Sequence, residues 1–242
     1  MIAFLSDFGQ SEYVGMVKGV IHSLNAASTV IDITHAIAPF SVRQGAWSLL
    51  QSYHFFPKNT VFLAIVDPGV GSDRKAIVIE TRHYFFVGPD NGILYPAAKE
   101  DGIISRIVLS IPKQSSRTFH ARDVFAKAAA QLDQGKSTQS LGTKIKDVWH
   151  LSFYLKDRGG EIVTIDCFGN IITNLPSLHK KKYHVSSPSI NSELAYYDTY
   201  NASKENELFL ITGSSNTLEI SMKEGNASKK MNLNIGDKIT IL

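Results

Sequence analysis

The sequence has one cysteine, Cys167, so no disulfide framework can form within the chain, as fits a reducing compartment. It has no apolar run long enough to cross a bilayer, and no membrane association is expected. An apparent strand, Ile2 to Leu5, begins at once and leaves no room for a signal peptide, so a cytoplasmic location is expected. There is no strong charge imbalance. Lys and Arg number 25 against 22 Asp and Glu, a net charge of +3, and the basic residues are scattered, which argues against a nucleic-acid partner. The one compact basic run, His179-Lys180-Lys181-Lys182, lies beside Pro176 and Ser177 and reads as a solvated loop. No internal repeat or low-complexity segment is visible. There is no His-x-x-x-His or Cys-x-x-Cys pair of the kind that holds a metal. Gly69-Val70-Gly71 lacks the Lys-Ser or helix-opening glycine of a phosphate loop.

What is present is an ordinary globular composition: 242 residues, 43% hydrophobic and 19% charged. The apolar run Thr60 to Val66 reads as a buried strand that stops at Asp67-Pro68-Gly69, a turn tripeptide, with Arg74 shortly after. Ile2 to Leu5 stops in the same way at Ser6-Asp7-Phe8-Gly9. Further strands are expected at Thr29 to Ile33, Ala76 to Thr81, Tyr84 to Val87 and Ser105 to Leu109. Helical spacing covers Tyr13 to Leu24, Val42 to Tyr53 and Ala121 to Leu132, and Gly88 to Gly92 is a dense turn signal. Strands alternating with helices predict an α/β N-terminal domain with a mainly parallel sheet. The polar segment Ser137 to Lys146 looks like a boundary. Beyond it short strands predominate: Gly160 to Asp166, Ile171 to Leu175, Leu208 to Thr212, Leu218 to Met222 and Lys238 to Leu242. The expectation is an α/β domain over 1–146 and a smaller, β-barrel-like domain over 147–242.

Asp7, Asp67, Arg74 and His120 are polar groups at strand ends or a helix start. Singly, each has an ordinary reading as a cap, a turn residue or a surface group. Together they point to one rim, the carboxyl-end edge where open α/β sheets bind ligands. Two Asp and one His suit a divalent ion, but Arg74 places a cation in the same site, and no metal is expected.

These residues also carry a resemblance. Asp7-Phe8-Gly9, Asp67-Pro68-Gly69-Val70-Gly71, Pro89-Asp90-Asn91-Gly92 and Thr118-Phe119-His120-Ala121-Arg122-Asp123, followed by Phe168-Gly169-Asn170 and Leu218-Glu219-Ile220, resemble the S-adenosyl-L-methionine hydroxide adenosyltransferases. That family is related to the fluorinase and chlorinase. The motifs come in the family's order through nearly the whole chain.

The resemblance implies an α/β domain joined to a β-rich domain. It also implies a homotrimer whose active sites lie between the N-terminal domain of one subunit and the C-terminal domain of the next. The implied activity is hydrolysis of S-adenosyl-L-methionine to adenosine and methionine by in-line attack of water on ribose C5′, with no cofactor. The water-orienting set maps onto Asp67, Arg74 and His120. Halogenating relatives have Tyr at the place of Asp67 and lack the His, and a carboxylate there repels halide but accepts a hydrogen bond from water. Whether Asp67 or His120 takes the proton stays open at this point. The implied substrate contacts are Asp7 on the ribose hydroxyls and Phe40 at the ribose wall. Phe168 and Asn170 face adenine, and Asp166, Ser214 and Glu219 lie near the methionine end. Three positions depart from the pattern: Ser215 stands where halogenases have Arg, and Ala121 and Lys127 where the family often has Gly and Pro. The rival readings are a sensor that binds S-adenosyl-L-methionine or adenosine without turnover, and a halogenase.

Overall fold

The computed structural model describes residues 1–178 and 180–242. His179, part of the expected basic loop, lies outside the described residues, and Lys182 opens a strand rather than ending a loop. The chain divides into two compact units, Met1–Leu151 and Ser152–Leu242. Residues 147–151, assigned from the sequence to the second domain, belong to the first unit. There the Trp149 N–H donates to Asp90 Oδ1 at 2.7 Å, and Leu151 packs so tightly on Gly92 that a Cβ on that glycine meets it at 2.6 Å.

The first unit is a seven-stranded sheet with helices on it. In chain order its elements are β1 (Ile2–Ser6), α1 (Glu12–Leu24), β2 (Val30–Thr34), α2 (Val42–Ser52), β3 (Val61–Ile65), β4 (Ala76–Thr81) and β5 (Phe85–Pro89). Then follow α3 (Tyr95–Asp101), β6 (Ile103–Leu109), a π-helical turn (Ala121–Phe125), α4 (Ala126–Asp133) and β7 (Gly142–Lys144). The sheet order is β2-β1-β3-β5-β4-β6-β7. β2, β1, β3 and β5 pair in parallel, whereas β4, β6 and β7 add antiparallel pairs. The sheet is therefore mixed, parallel only in the half that carries the site. A turn joining β4 directly to β5 allows only the antiparallel pairing.

Every residue of β1 and β3 is buried, which is why both read as unbroken apolar runs. Alternate residues serve opposite faces. Ile2, Phe4, Leu63 and Ile65 join Val17 and Ile21 of α1 and the alanines of α4 in one core. Phe62 faces the other way and stacks on Phe86 at 5.1 Å, with Tyr53 edge-on to both.

The second unit is a closed seven-stranded barrel. Its strands are β8 (Gly159–Ile165), β9 (Ile171–Pro176), β10 (Lys182–Ser187), β11 (Ile190–Tyr196), β12 (Leu208–Thr212), β13 (Thr217–Met222) and β14 (Lys238–Ile241), with the short helix α5 (Ala227–Met231). The barrel closes where β14 pairs with both β8 and β10. Tyr183, Val185, Leu210, Leu218 and Ile220 fill its interior. Among the described residues no helix is long and apolar enough to cross a membrane.

Candidate active site

The geometry of the site begins with strand order. β1 lies between β2 and β3, so the chain leaves β1 towards one neighbour and returns on its other side. This is the switch point at which doubly wound sheets open a crevice. The loops after β1, β2 and β3 carry Asp7, Phe40 and Asp67, and these three line one cleft of about 580 Å³ with His120. Phe8, Tyr13 and Phe119 form its aromatic wall, with ring centroids 5.1 to 6.1 Å apart.

Asp67 and Arg74 form a bidentate pair. Arg74 Nε donates to Oδ1 at 2.9 Å and Nη2 to Oδ2 at 2.5 Å. Nη1 donates to the Lys75 carbonyl at 3.2 Å, and the guanidinium lies 5.2 Å over the Phe125 ring. Nη2 also meets His120 Nδ1 at 3.0 Å. A guanidinium can only donate, so Nδ1 is the acceptor and the neutral ring carries its proton on Nε2. Burial and the Arg74 charge both push the His120 pKa below its ordinary value, which favours this neutral form. Burial holds the Asp67 carboxyl above its ordinary range, against the pull of Arg74. Asp67 is therefore a stronger base than a free aspartate, and lone pairs not used by Arg74 remain available.

The surroundings explain how the turn holds. Gly71 adopts φ 77°, and a Cβ there falls 2.2 Å from the Arg117 carbonyl, so only glycine lets the Asp67 loop lie against the segment leading to His120. Asn91 Nδ2 donates to the Val66 carbonyl at 2.8 Å, and the Asp90 N–H donates to Lys75 O at 2.9 Å. The Asp90-Asn91 turn thus clamps both flanks of the Asp67 loop, a role that sequence reasoning left unassigned. His120 stands just before the helical segment, as expected, but that segment opens with a π-helical turn, Ala121–Phe125, rather than a regular helix. Such single widened turns recur at functional sites.

Phe40 is 72% exposed and has φ 67°, a left-handed conformation unfavourable for a bulky residue. Its N–H donates to Asp7 Oδ2 at 2.9 Å, fixing that carboxylate at the rim.

The remaining expected contacts sit in the second unit. Asp166 Oδ1 accepts the N–H groups of Phe168 and Asn170, each at 2.9 Å, and Oδ2 accepts Asn170 Nδ2 at 2.8 Å. These three line a cleft of about 730 Å³ with Tyr200 and Asn226. Phe168 projects into solvent, 74% exposed, without core packing. Glu219 reaches this cleft through Tyr200, whose hydroxyl donates to it at 3.1 Å. Burial raises the Glu219 pKa, and burial plus the Glu219 charge push Tyr200 up to about 12. Ser214 is exposed in the turn between β12 and β13, outside the cleft-lining set. Tyr200 and Asn226 had no signal in the sequence. Both stand in polar loops without periodicity.

The first unit is an α/β domain whose crevice holds a carboxylate–guanidinium–imidazole trio, and the second is a β-barrel with an exposed aromatic and an amide in a cleft of its own. Residues 2–142 match the SAM hydroxide adenosyltransferase N-terminal domain, and residues 160–240 match its C-terminal domain. The chain belongs to this family. It is 34% identical to the (R)-S-adenosyl-L-methionine hydrolase of Methanocaldococcus jannaschii, over 100% of this chain and 95% of that protein. A crystal structure of an uncharacterised conserved protein from Thermotoga maritima is 35% identical, covers 100% of both chains and superposes with a TM-score of 0.92. The fluorinase of Nocardia brasiliensis is 27% identical over 72% of this chain and 71% of its own.

Proposed function

We propose that this protein hydrolyses S-adenosyl-L-methionine to adenosine and methionine, with Asp67, Arg74 and His120 orienting the attacking water. The observation that carries this reading is the trio itself: a carboxylate of raised basicity at the cleft wall, beside an imidazole held in its Nε2–H form. The imidazole's acceptor nitrogen is taken by Arg74, so Asp67 receives the water's proton or hydrogen bond and His120 donates to the water oxygen. Attack at ribose C5′ proceeds in line with departing sulfur. The sulfonium leaves as a neutral thioether, so the reaction needs neither an acid nor a cofactor. The protein supplies alignment and a water held against fixed dipoles. Asp7 takes the ribose hydroxyls, two adjacent donors on one carboxylate, beside Phe40. Phe168 stacks on adenine, Asn170 reads its edge, and Asp166, Ser214 and Glu219 serve the methionine end.

The ribose set and the adenine set stand on different units. In this reading a homotrimer completes each site with the C-terminal unit of the next copy. The relatives' name points to the (R)-sulfonium epimer as the preferred substrate. A single exposed cysteine, Cys167, suits a reducing cytoplasm. The test is chromatography of products from each epimer, with and without chloride. Adenosine formed at a chloride-independent rate supports the hydrolase. Tight binding with no product supports a sensor, and a 5′-chloro product supports a halogenase.

A further inference from the structure

We propose that His35 is a positioning residue for the Asp7 carboxylate, acting through a hydrogen-bond relay beneath the turn that carries it. The proposal rests on the reading that Asp7 receives the ribose diol.

β1 and β2 are neighbours, with Leu5 opposite Thr34, so the loops following them leave the sheet side by side. His35 Nδ1 lies 2.7 Å from Ser6 Oγ, and its Nε2 lies 3.1 Å from Asp32 Oδ1. Asp32 in turn accepts from Lys18 of α1 at 2.6 Å. The donor and acceptor inventory sets the direction of each bond. The Ser6 hydroxyl has a proton to donate and His35 Nδ1 is the acceptor within its reach, so Nδ1 of the neutral ring accepts the Ser6 hydroxyl. Ser6 Oγ then accepts the Phe8 N–H at 3.3 Å, and the His35 carbonyl accepts the Gly9 N–H at 2.8 Å. The imidazole packs edge-on to Phe4 at 4.6 Å. The backbone on both sides of Asp7 is thus tied to His35, through Ser6 Oγ before and after it and through the His35 carbonyl at Gly9.

The order Ser6–His35–Asp32 has the composition of a nucleophile triad, but Ser6 is fully buried and neither it nor His35 lines the cleft. No substrate carbon can reach the hydroxyl. The chain of bonds ends on backbone N–H groups, so what it fixes is the turn. The turn sets where the Asp7 side chain points, with the Phe40 N–H holding Oδ2 from the other side. An aspartate on a free loop loses conformational entropy when it grips two hydroxyls. Here the ordering is complete before the ligand arrives.

The experiment compares binding of adenosine and 2′,3′-dideoxyadenosine by calorimetry, alongside steady-state kinetics, for the wild type, His35→Ala, His35→Asn and Ser6→Ala. The wild type is expected to favour adenosine by about ten-fold or more, the value of buried hydrogen bonds to a charged group. His35→Ala should lose most of that preference and raise KM more than it lowers kcat. His35→Asn, whose amide oxygen can stand where Nδ1 stood and accept the Ser6 hydroxyl, should recover much of it. A purely structural histidine predicts a lower Tm in His35→Ala with the adenosine preference intact, and that result overturns the proposal. If His35→Ala does not fold, Ser6→Ala, which deletes only a hydroxyl, decides the matter by the same comparison. Absence of any preference in the wild type overturns the Asp7 reading, and the relay's role with it.

Discussion

In the proposed reaction, two buried ionisable side chains set the chemistry at the residue scale. Asp67 works as an acceptor only when ionised, and His120 fits Arg74 only when neutral, because a protonated Nδ1 points a proton at a donor. Both requirements fail on acidification. The Asp67 pKa lies above its ordinary 3.8 and that of His120 below its ordinary 6.5, so the acid limb of the kcat profile is expected above 3.8. The limb belongs to the coupled pair rather than to either group. A pH–rate series checks this, and a limb at or below 3.8 contradicts it. Stability follows the same sign for His120. Its folded pKa is depressed, so its contribution is fully present above 6.5 and declines as pH falls below that value. Replacing Asp67 by Asn removes the base while keeping one carbonyl acceptor, and leaves Arg74 without its counter-charge. We expect kcat to fall by about 10²- to 10⁴-fold. Stability should change far less than activity, because the raised Asp67 pKa shows that the folded state already favours a neutral group there. Stopped assays and thermal melts separate the two effects.

Loop geometry at the carboxyl ends of β1, β2 and β3 governs the next scale, that of the element. Phe40 keeps a left-handed backbone although glycine fits there more easily. Phe40→Gly should therefore raise stability by up to ~1 kcal/mol while raising KM, since the Phe40 ring at the cleft rim is lost. Equal or lower stability with unchanged KM argues that Phe40 serves packing. Gly71→Ala should do the reverse of Phe40→Gly and lower Tm, because its Cβ meets the Arg117 carbonyl and the left-handed φ disfavours alanine. At this scale the sequence was legible where burial is one-sided or total. β1 and β3 read as continuous apolar runs and α1 as a helical stripe. β10 and β11 were not legible: in β10 only Tyr183 and Val185 face the barrel interior, and the rest of the strand is polar. The antiparallel insertion of β4 and the π-helical turn at Ala121 were also hidden, since neither changes residue periodicity. Asp7, Asp67 and His120 could be read as polar groups at element ends. The Arg74–His120 contact spans 46 residues and belongs to the folded chain. Tyr200, on a polar loop, became visible only through its contact with Glu219.

Division of labour between two units governs the whole molecule. The first unit holds the trio with Asp7 and Phe40, and the barrel holds Asp166, Phe168 and Asn170. If each site joins units of neighbouring copies, two inactive chains should complement each other. Asp67→Asn and Asn170→Ala, each nearly inactive alone, are expected to regain activity when unfolded together and reassembled. Random assortment in a heterologous ring gives about one quarter of the wild-type level. Sedimentation of the mixture as trimers without recovered activity argues that each site is built from a single chain.

The central claim is that water attacks ribose C5′ at the Asp67 trio. Mass spectrometry of products formed in ¹⁸O-labelled water tests it most directly. The expected result is one heavy oxygen in adenosine and none newly introduced into methionine, at the same rate with or without chloride. Folded protein that binds S-adenosyl-L-methionine yet yields no labelled adenosine contradicts the claim.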